Sequence, residues 1–397
     1  MTRTTAKRVI VGVTIDMSHQ LMAGFPEVLA ADGWDVHVVS GPGKNSDRLA
    51  ALPGVTAHAI SMRRDPSVTN DLRSLYEWAR LIAKVRPSAI SVGTPKAGFL
   101  GTLAAFLLRV PVRIYLLRGL RVETTTGARR FILSSIERLT MICSTEVLAI
   151  SPSLARRVTE LRLGSARKIK VLGSGSSNGV DTVEYAPGRF SDAELDEFRR
   201  SLDLRENVPT IGFVGRLARD KGLADLADAL GILTEREVEW QLLVVGGSDD
   251  GSGVDALKKL AEFGPKVVLA GHVDRPARHV ALMDVLCLPT LREGFGNVVI
   301  EASASGVPVV VSNAVGVVDA VRNGVTGLVA PVGNPTALAD QLEKLLLDPA
   351  YARQLGAQGR EWAVSTFERS VVQAAYLANL NARYAAIESP RRAKSGS

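Results

Sequence analysis

Residues 291 to 311, LREGFGNVVIEASASGVPVVV, contain the pattern that most clearly indicates the fold of the C-terminal half. A glycine-rich turn from Gly294 to Gly296 follows a predicted strand, DVLCLPT, and precedes a segment with helical spacing and the β-branched run VPVVV. A strand, a turn, a helix and a strand in this order are typical of a parallel α/β sheet. Glu293 precedes the turn, and Glu301 lies about one turn inside the predicted helix.

The turn has the chemistry of an anion-binding helix start. Gly294 and Gly296 allow a ligand to approach the main chain closely, and a helix beginning near Asn297 would direct free N–H groups and its positive dipole end at that ligand. Glu301 can accept two hydrogen bonds from vicinal hydroxyls such as those of a ribose. Taken singly, Glu301 also fits an exposed helix residue, and Glu293 fits an acid that favours the helix dipole by about 0.3–1 kcal/mol.

The alternation of strand and helix extends outward over most of the chain. Short apolar runs, each followed by a longer segment with helical spacing, predict buried parallel strands covered by helices on both faces. In the first half these runs are RVIVGVT, WDVHVVS, PSAISVG, VPVRIYL and EVLAIS, and in the second half they are PTIGFVGR, WQLLVVGG, PKVVLAGH, DVLCLPT and VPVVVSN.

The sequence therefore predicts an α/β chain with two doubly wound, Rossmann-like domains that face a central cleft, where ligands should bind. The domain boundary is expected near a Gly/Ser-rich segment and the polar stretch that follows it. The predicted parts are a first domain at 1–186, a linker at 187–207, a second domain at 208–365, a C-terminal helix at 366–387 that packs back toward the first domain, and a disordered tail at 388–397.

Bulk composition excludes several classes of protein. The 397 residues are 46% hydrophobic and 22% charged, which is typical of globular domains. Only Cys143 and Cys287 occur, so neither a disulfide framework nor a thiolate metal site is expected. No secretory signal is recognised, and the uncharged run from Ala97 to Leu108 is shorter than the roughly 20 residues of a spanning helix. We expect a cytoplasmic protein.

The formal net charge of +7 suits an anionic partner such as a nucleotide sugar, a lipid diphosphate or an acidic membrane face. A basic surface without any such partner is an equally good explanation. Nucleic acid is not expected as a partner, since only 5% of residues are aromatic and no recognition motif occurs.

Several motifs together resemble the retaining glycosyltransferases of family 4. The stretch beginning REGFGNVVIEASASG is similar to their donor-binding region, and Glu293 and Glu301 match its E-x7-E motif. FVGRLARDKG resembles their basic loop, and VLGSGSSNGVD resembles their interdomain segment. In the first half, the region SVGTPKAGFLGTLAAFLLRVPVRIYLLRGLRVETTTGARR resembles the branch that builds capsular, exopolysaccharide or lipid-linked glycans.

This resemblance implies a GT-B fold and transfer of a sugar, with retention at the anomeric carbon, from a nucleotide sugar to a glycan. It further implies a UDP-sugar donor, a polyprenyl-diphosphate-linked saccharide acceptor and no metal cofactor. The implied catalytic residues are Glu293, Arg216 and Lys221. The implied donor-binding residues are Gly215, Arg216, Lys221, Val273, Glu293, Gly294, Phe295, Gly296, Asn297, Val298 and Glu301.

Arg216 and Lys221 lie in the basic loop after the strand TIGFVG. Departure of a nucleoside diphosphate develops negative charge on the leaving oxygens, and two fixed cations there would stabilise the transition state more than the ground state. By the resemblance, Glu301 holds the ribose and Glu293 contacts the donor sugar. The main chain of Val273 would contact the base.

Two further polar groups allow competing interpretations. Asp249 and Asp250 invite a metal site, but they lack further ligands at fixed spacing, and a polar loop after a strand explains them better. His272 also follows a strand and fits a structural role as well as a functional one.

The first half carries the predicted acceptor and donor-sugar rim. Its residues are Lys96, Arg118 and Arg121. Many relatives have a histidine in place of Arg118, and the arginine suits a donor carboxylate or an acceptor diphosphate. Further positive charge is concentrated at Arg113, Arg129 and Arg130, near the apolar run AGFLGTLAAFLL. Peripheral contact with an anionic membrane is one interpretation of this region, and an internal helix with ordinary surface arginines is the other.

Three alternatives to this function were considered: the sequence fits the first as well and disfavours the other two. A transferase with a soluble acceptor fits the same motifs. A UDP-sugar epimerase or hydrolase of the same fold would need poised proton-transfer groups, and the five histidines do not cluster in the sequence. A non-catalytic binding module would tolerate loss of the basic pair or of Glu293, which are all present. The sequence does not specify an oligomeric state.

Overall fold

The structure, a computed structural model, describes residues 7–22, 24–62, 67–248 and 251–393. The chain forms two compact units. Unit 1 comprises residues up to Asn178 together with the segment from Ser370 onward, and unit 2 runs from Gly179 to Arg369.

Unit 1 is built on a seven-stranded parallel sheet with the order β3-β2-β1-β4-β5-β6-β7. This order reverses direction beside the first strand, as in a doubly wound sheet. The strands are β1 (Arg8–Gly12), β2 (Asp35–Ser40), β3 (Val55–Ala59), β4 (Ala89–Gly93), β5 (Val112–Leu117), β6 (Glu146–Ala149) and β7 (Ile169–Lys170).

The helices of unit 1 alternate with its strands. They are α1 (Phe25–Ala31), α2 (Lys44–Ala50), α3 (Val68–Val85), α4 (Pro95–Leu107), α5 (Gly127–Cys143) and α6 (Pro152–Glu160). Side chains of α3 and α4 form a core with β1 and β4, centred on the fully buried Trp78. Because small residues of α4 such as Gly98 and Gly101 lie directly on Tyr115 and Trp78, this helix packs close to the sheet.

Unit 2 repeats the plan with six parallel strands in the order β10-β9-β8-β11-β12-β13. The strands are β8 (Thr210–Val214), β9 (Gln241–Val245), β10 (Val267–Gly271), β11 (Val285–Leu288), β12 (Val309–Ser312) and β13 (Leu328–Ala330). The helices are α7 (Asp192–Ser201), α8 (Leu223–Glu235), α9 (Val254–Ala261), α10 (Ala277–Val280), α11 (Asn297–Ala304), α12 (Pro335–Leu347) and α13 (Pro349–Phe367).

All ten strands predicted from the sequence are present, and the prediction of two Rossmann-like domains is confirmed as two such units. Three further strands, β3, β7 and β13, were not predicted. β3 lies at a sheet edge and is mostly only partly buried, while β7 and β13 span two and three residues. Strands this short or exposed leave no continuous apolar run in the sequence.

The boundary between the units differs from the expected linker at 187–207. The chain passes between units next to Val180, whose N–H donates to Phe367 O at 2.8 Å and whose carbonyl accepts from Arg369 N at 2.9 Å. The two crossing segments are therefore paired through backbone hydrogen bonds. The expected linker instead contains α7, which begins with a capping box of Ser191 and Glu194 within unit 2.

The C-terminal helix α14 spans Arg369–Ala393 and, from Ser370 onward, belongs to unit 1. The Asn379 amide donates to Glu146 at 2.8 Å, and Arg383 also donates to this buried carboxylate. The tail expected to be disordered at 388–397 is partly helical instead, because α14 continues through its first six residues. The remaining residues of this tail lie outside the described part of the chain. Every helix in the described ranges is too short or too polar to span a bilayer.

Candidate active site

Glu293 and Lys221 form an ion pair at the carboxyl edge of the unit 2 sheet. Lys221 ends a short 3-10 helix after β8, and Glu293 follows β11, the neighbouring strand. The Lys221 ammonium donates directly to Glu293 Oε1, and only 14% and 17% of the two side chains are exposed. The predicted catalytic carboxylate, Glu293, and one of the two predicted cations, Lys221, are thus in direct contact.

The main chain explains why the two loops approach each other so closely. Gly222 has a φ of 73°, and a Cβ at this position would lie 1.9 Å from Pro289 O. Two donors from the loop after β11, Leu291 N and the Thr290 hydroxyl, both bond to Asp220 O at 2.9 and 3.0 Å. Glycine at 222 therefore permits the contact that brings Lys221 to Glu293.

Arg216, the second predicted cation, lies nearer to the solvent. Its guanidinium is 3.6 Å from Asp220 Oδ1, and its side chain is 47% exposed. The other oxygen of Asp220 accepts from Arg292 at 2.8 Å. Asp220 therefore positions two arginines beside the Lys221–Glu293 pair, although neither Asp220 nor Arg292 was predicted as a site residue.

The glycine-rich turn after Glu293 leads into α11 as expected. Gly296 adopts a left-handed φ of 88° directly before Asn297, the first residue of the helix. Glu293 N donates to Val315 O at 3.0 Å, so a backbone hydrogen bond to the loop after β12 holds the start of the turn in place. The side chain of Phe295 is buried against Phe367, with ring centroids 5.1 Å apart, which leaves only its main chain to face a ligand.

Glu301 lies one turn inside α11 and is hydrogen-bonded to Tyr185. Desolvation raises the pKa of Glu301 to about 7, although the Tyr185 hydroxyl bond acts in the opposite direction. Desolvation, followed by the nearby carboxyl of Glu301, raises the pKa of Tyr185 as well. Tyr185 was not predicted, because it lies in an irregular segment that no strand or motif identifies.

Loops after β8, β9 and β10 lie side by side at the same edge. Leu217 N donates to Gly247 O at 2.9 Å, and Gly246 N donates to Gly271 O at 2.8 Å. Val273 therefore lies at this edge, about two strand spacings, or roughly 10 Å, from β8. His272 is exposed and is 3.2 Å from Asp274, which is consistent with a surface contact.

The described residues hold no group of three or more His, Cys, Asp and Glu side chains able to bind a metal ion. Asp249 and Asp250, the pair considered as metal ligands, lie outside the described residues. Both cysteines are buried and free of disulfides.

Of the three predicted rim residues of unit 1, Lys96 is largely buried and Arg121 is exposed. Lys96, at the start of α4, is ion-paired with Asp71 at 2.7 Å and is largely buried. Arg121 begins a 3-10 helix after β5 and is exposed. Arg113, counted in the basic surface, donates to the carbonyls of Cys143 and Val110 at 2.6 and 2.5 Å, so its guanidinium serves the packing of α5.

Arg118, the third rim residue, directly follows β5 and lines a cavity of about 30 Å³ with Gly93, Ser177, Gln373 and Tyr376. One terminal nitrogen donates to Leu21 O at 2.7 Å. The other two nitrogens, Nε and Nη1, are buried and have no hydrogen-bond partner among the described residues. Burial lowers the pKa of Arg118 to about 10.

The absence of a side chain at Gly93 gives the guanidinium of Arg118 its place, since a Cβ there would lie 2.9 Å from Nε. A buried guanidinium with two free donors has a strong preference for an anionic or carbonyl oxygen. These two nitrogens lie at the carboxyl edge of the unit 1 sheet, directly after β5.

Comparison with known families assigns each half of the chain. Residues 195–362 match the family of glycosyl transferases group 1, and residues 23–175 match the glycosyl transferase 4-like domain. The first match covers all the predicted donor-site residues, and the second covers Lys96, Arg118 and Arg121.

Individual relatives agree with these matches. The chain is 38% identical over 361 residues to the capsular polysaccharide biosynthesis glycosyltransferase CapM of Staphylococcus aureus, with 91% of this chain and 93% of CapM covered. Among solved structures, it is similar to sucrose-phosphate synthase from Thermosynechococcus elongatus, with a TM-score of 0.80, 22% identity and coverage of 96% and 100% of the two chains. HepE of Anabaena, in complex with UDP and glucose, gives a TM-score of 0.79 at 18% identity and coverage of 95% and 100%.

Proposed function

The chain belongs to glycosyltransferase family 4 and has the GT-B fold, and from this premise we propose that it transfers a sugar, with retention, from a UDP-sugar to a polyprenyl-diphosphate-linked saccharide. The product would extend a cell-surface polysaccharide. The relation to CapM, a capsular polysaccharide biosynthesis glycosyltransferase, supports a role in polysaccharide synthesis. The complex of HepE with UDP and glucose makes UDP-sugars the first donors to test.

The Lys221–Glu293 ion pair is the observation that carries this proposal. A nucleotide sugar offers each member of the pair a new partner, because its diphosphate attracts the ammonium and its sugar hydroxyls donate to the carboxylate. Binding would separate the pair and leave Lys221 beside the leaving phosphate. Since negative charge grows on that phosphate as the glycosidic bond breaks, the interaction strengthens toward the transition state.

Two neighbouring features support a nucleoside diphosphate at this edge. Arg216, held by Asp220, adds a second cation with bidentate geometry for phosphate oxygens. The start of α11, at Asn297, adds the positive end of a helix dipole. Glu301, oriented by Tyr185, would accept the two ribose hydroxyls.

We propose that the chemistry follows a front-face course in which the departing phosphate deprotonates the acceptor hydroxyl. The bond from the anomeric carbon to the diphosphate breaks, the acceptor oxygen forms the new bond on the same face, and its proton passes to the diphosphate. No carboxylate nucleophile is required. The protein then contributes orientation and electrostatic stabilisation.

Arg118 is the candidate for recognition of a second anionic group. Its two unpartnered nitrogens fit a carboxylate of the donor sugar or a phosphate oxygen of the lipid-linked acceptor. Lys96 is neutralised by Asp71, so Arg118 has the stronger claim to this role in unit 1.

The proposal is tested by incubating the purified protein with a panel of UDP-sugars, with and without a polyprenyl-diphosphate-linked saccharide. We expect release of UDP that depends on this acceptor, and a product whose anomeric configuration, measured by NMR, equals that of the donor. Isomerisation or hydrolysis of the UDP-sugar without acceptor would reject transfer. Equal rates with a soluble saccharide would reject the lipid-linked acceptor.

A further inference from the structure

The loops after β8 and β11, which carry Lys221 and Glu293, are joined by a second ion pair one residue earlier in each loop. Asp220 directly precedes Lys221, and Arg292 directly precedes Glu293. Arg292 Nη2 donates to Asp220 Oδ2 at 2.8 Å, and 23% and 17% of the two side chains are exposed. The β8 loop thus presents a negative and then a positive side chain, whereas the β11 loop presents a positive and then a negative one.

This order of charges favours a single register between the two loops. If one loop moved by one residue along the other, either Lys221 would face Arg292 or Asp220 would face Glu293. Each shift would bring like charges together in a partly buried position, where salt screens them less than at the open surface. The two ion pairs therefore stabilise one relative position of the loops and oppose both neighbouring positions.

The second ion pair is also anchored through its main chain. The hydroxyl of Thr290, which is fully buried, lies 3.0 Å from Asp220 O and 2.8 Å from Arg292 O. Leu291 N donates to Asp220 O at 2.9 Å. Asp220 and Arg292 are therefore fixed relative to each other by side-chain and main-chain contacts. The contact in the neighbouring pair joins the ends of two side chains.

We propose that Asp220 and Arg292 are positioning residues, which keep the two loops in register when a nucleotide sugar separates Lys221 from Glu293. The inference rests on the proposed function for this separation, in which the diphosphate attracts the ammonium and the sugar hydroxyls donate to the carboxylate. The loops then lose one of their two ion pairs as the reaction begins. The second pair keeps the β8 loop in place, so that the Lys221 ammonium stays against the leaving phosphate.

The same pair determines how firmly Arg216 is held. The Arg216 guanidinium is 3.6 Å from Asp220 Oδ1, slightly longer than a hydrogen bond, and 47% of its side chain is exposed. Arg292 lies closer to this carboxylate and is less exposed. Because Arg292 is the nearer partner of Asp220, Arg216 can turn toward a diphosphate. Loss of Arg292 would leave the whole carboxylate to Arg216 and hold it back.

The first test measures the register in the full chain without substrate. The double substitution Lys221→Met with Glu293→Gln removes the first ion pair and leaves neither charge unpaired. Hydrogen exchange of the Leu291 amide, measured by mass spectrometry, reports its bond to the β8 loop. We expect exchange to stay slow in this background and to become at least about tenfold faster when Arg292→Met is added.

Two further variants distinguish the register from a general loss of stability. Arg292→Lys, added to the same background, should keep exchange slow, because the contact with Asp220 uses one guanidinium nitrogen that an ammonium can replace. Arg236→Met is the matched control. It removes an ion pair of 2.8 Å to Asp340 elsewhere in unit 2 and should leave exchange at Leu291 unchanged.

Turnover provides a second measurement, in chains that retain Lys221 and Glu293. Arg292→Met should lower kcat by a factor on the order of 10–10², because the Lys221 ammonium is displaced once the donor has bound. KM for the donor should change less than kcat, since the first ion pair still holds the loops before binding. Asp220→Asn combined with Arg292→Met should be no slower than Arg292→Met alone, because both substitutions remove the same link.

Three results would overturn the positioning role. They are exchange at Leu291 that stays slow after Arg292→Met, a loss of exchange protection that Arg292→Lys does not recover, and a double variant with Asp220→Asn whose loss in kcat equals the product of the two single losses. If exchange responds as expected but the wild type releases no UDP with the UDP-sugars and acceptors tested, the loop register is supported and the proposed function alone is contradicted.

Discussion

At the scale of single residues, the proposed donor site combines groups that the sequence identifies with groups that it does not. Lys221 and Glu293 belong to motifs with fixed spacing, and the structure joins them in an ion pair. Tyr185 and Asp220 act on predicted site residues through side-chain contacts. Their roles depend on how distant segments come together, and single-sequence patterns carry no record of such contacts.

Replacing Lys221 by alanine should lower kcat by a factor on the order of 10²–10³, because the leaving phosphate loses a fixed cation. The measurement is UDP release under saturating donor and acceptor, with circular dichroism to verify folding. Lys258→Ala, an exposed lysine of α9 in the same unit, is the control and should retain full activity. An unchanged kcat in the Lys221 variant would remove its catalytic assignment.

Glu301 should make donor binding depend on pH near neutrality. With a pKa of about 7, its carboxyl is mostly ionised at pH 8 and mostly protonated at pH 6. Only the carboxylate accepts hydrogen bonds from both ribose hydroxyls, so KM for the donor should rise by up to about tenfold as pH falls from about 8 to about 6. Glu301→Gln should have a raised KM that is constant over this range, and a persisting pH dependence would assign it to another group.

Arg118→Met tests which ligand supplies the anion. If the acceptor diphosphate is bound there, KM for the acceptor should rise at least about tenfold while KM for the donor stays constant. If a donor carboxylate is bound there, KM for the donor should rise at least about tenfold while KM for the acceptor stays constant. Arg73→Met, an exposed arginine of α3, is the control. The assignment fails if neither KM changes.

At the scale of elements, short contacts between loops set the geometry of the site. The apolar runs of the strands and the glycine-rich turn before α11 are local patterns, and they predict those elements correctly. The approach of the β8 loop to the β11 loop is not local, since it depends on Gly222 facing Pro289 O. The sequence shows a glycine there but not the partner that makes it necessary.

Replacing Gly222, at the start of α8, and Gly231, in its middle, by alanine should change protein stability in opposite directions. Gly222→Ala forces a left-handed residue against Pro289 O, so both the thermal midpoint and kcat should fall, with a cost of at least about 1 kcal/mol from the backbone alone. Gly231→Ala meets no atom within 4 Å in the helix interior and should stabilise by about 0.5–1 kcal/mol. Calorimetry of both variants checks the signs, and equal shifts would contradict this account.

At the scale of the whole molecule, the number and class of the units follow from the sequence, whereas their boundary does not. The polar stretch around Ser191 and Glu194 has the composition of a linker, yet these two residues cap a helix inside unit 2. The actual crossing uses backbone hydrogen bonds between Val180 and the segment around Phe367. Backbone pairing imposes little on side-chain type, so composition does not mark it.

The return of α14 to unit 1 has a consequence for synthesis on the ribosome. The Glu146 carboxylate receives Asn379 only after 233 further residues have been added, which takes roughly 10 to 50 seconds at typical elongation rates. Unit 2 is continuous and is translated in full during that delay. All residues of unit 2 would therefore leave the exit tunnel before unit 1 is complete. Unit 1 would gain its last helix, α14, only at the end of synthesis.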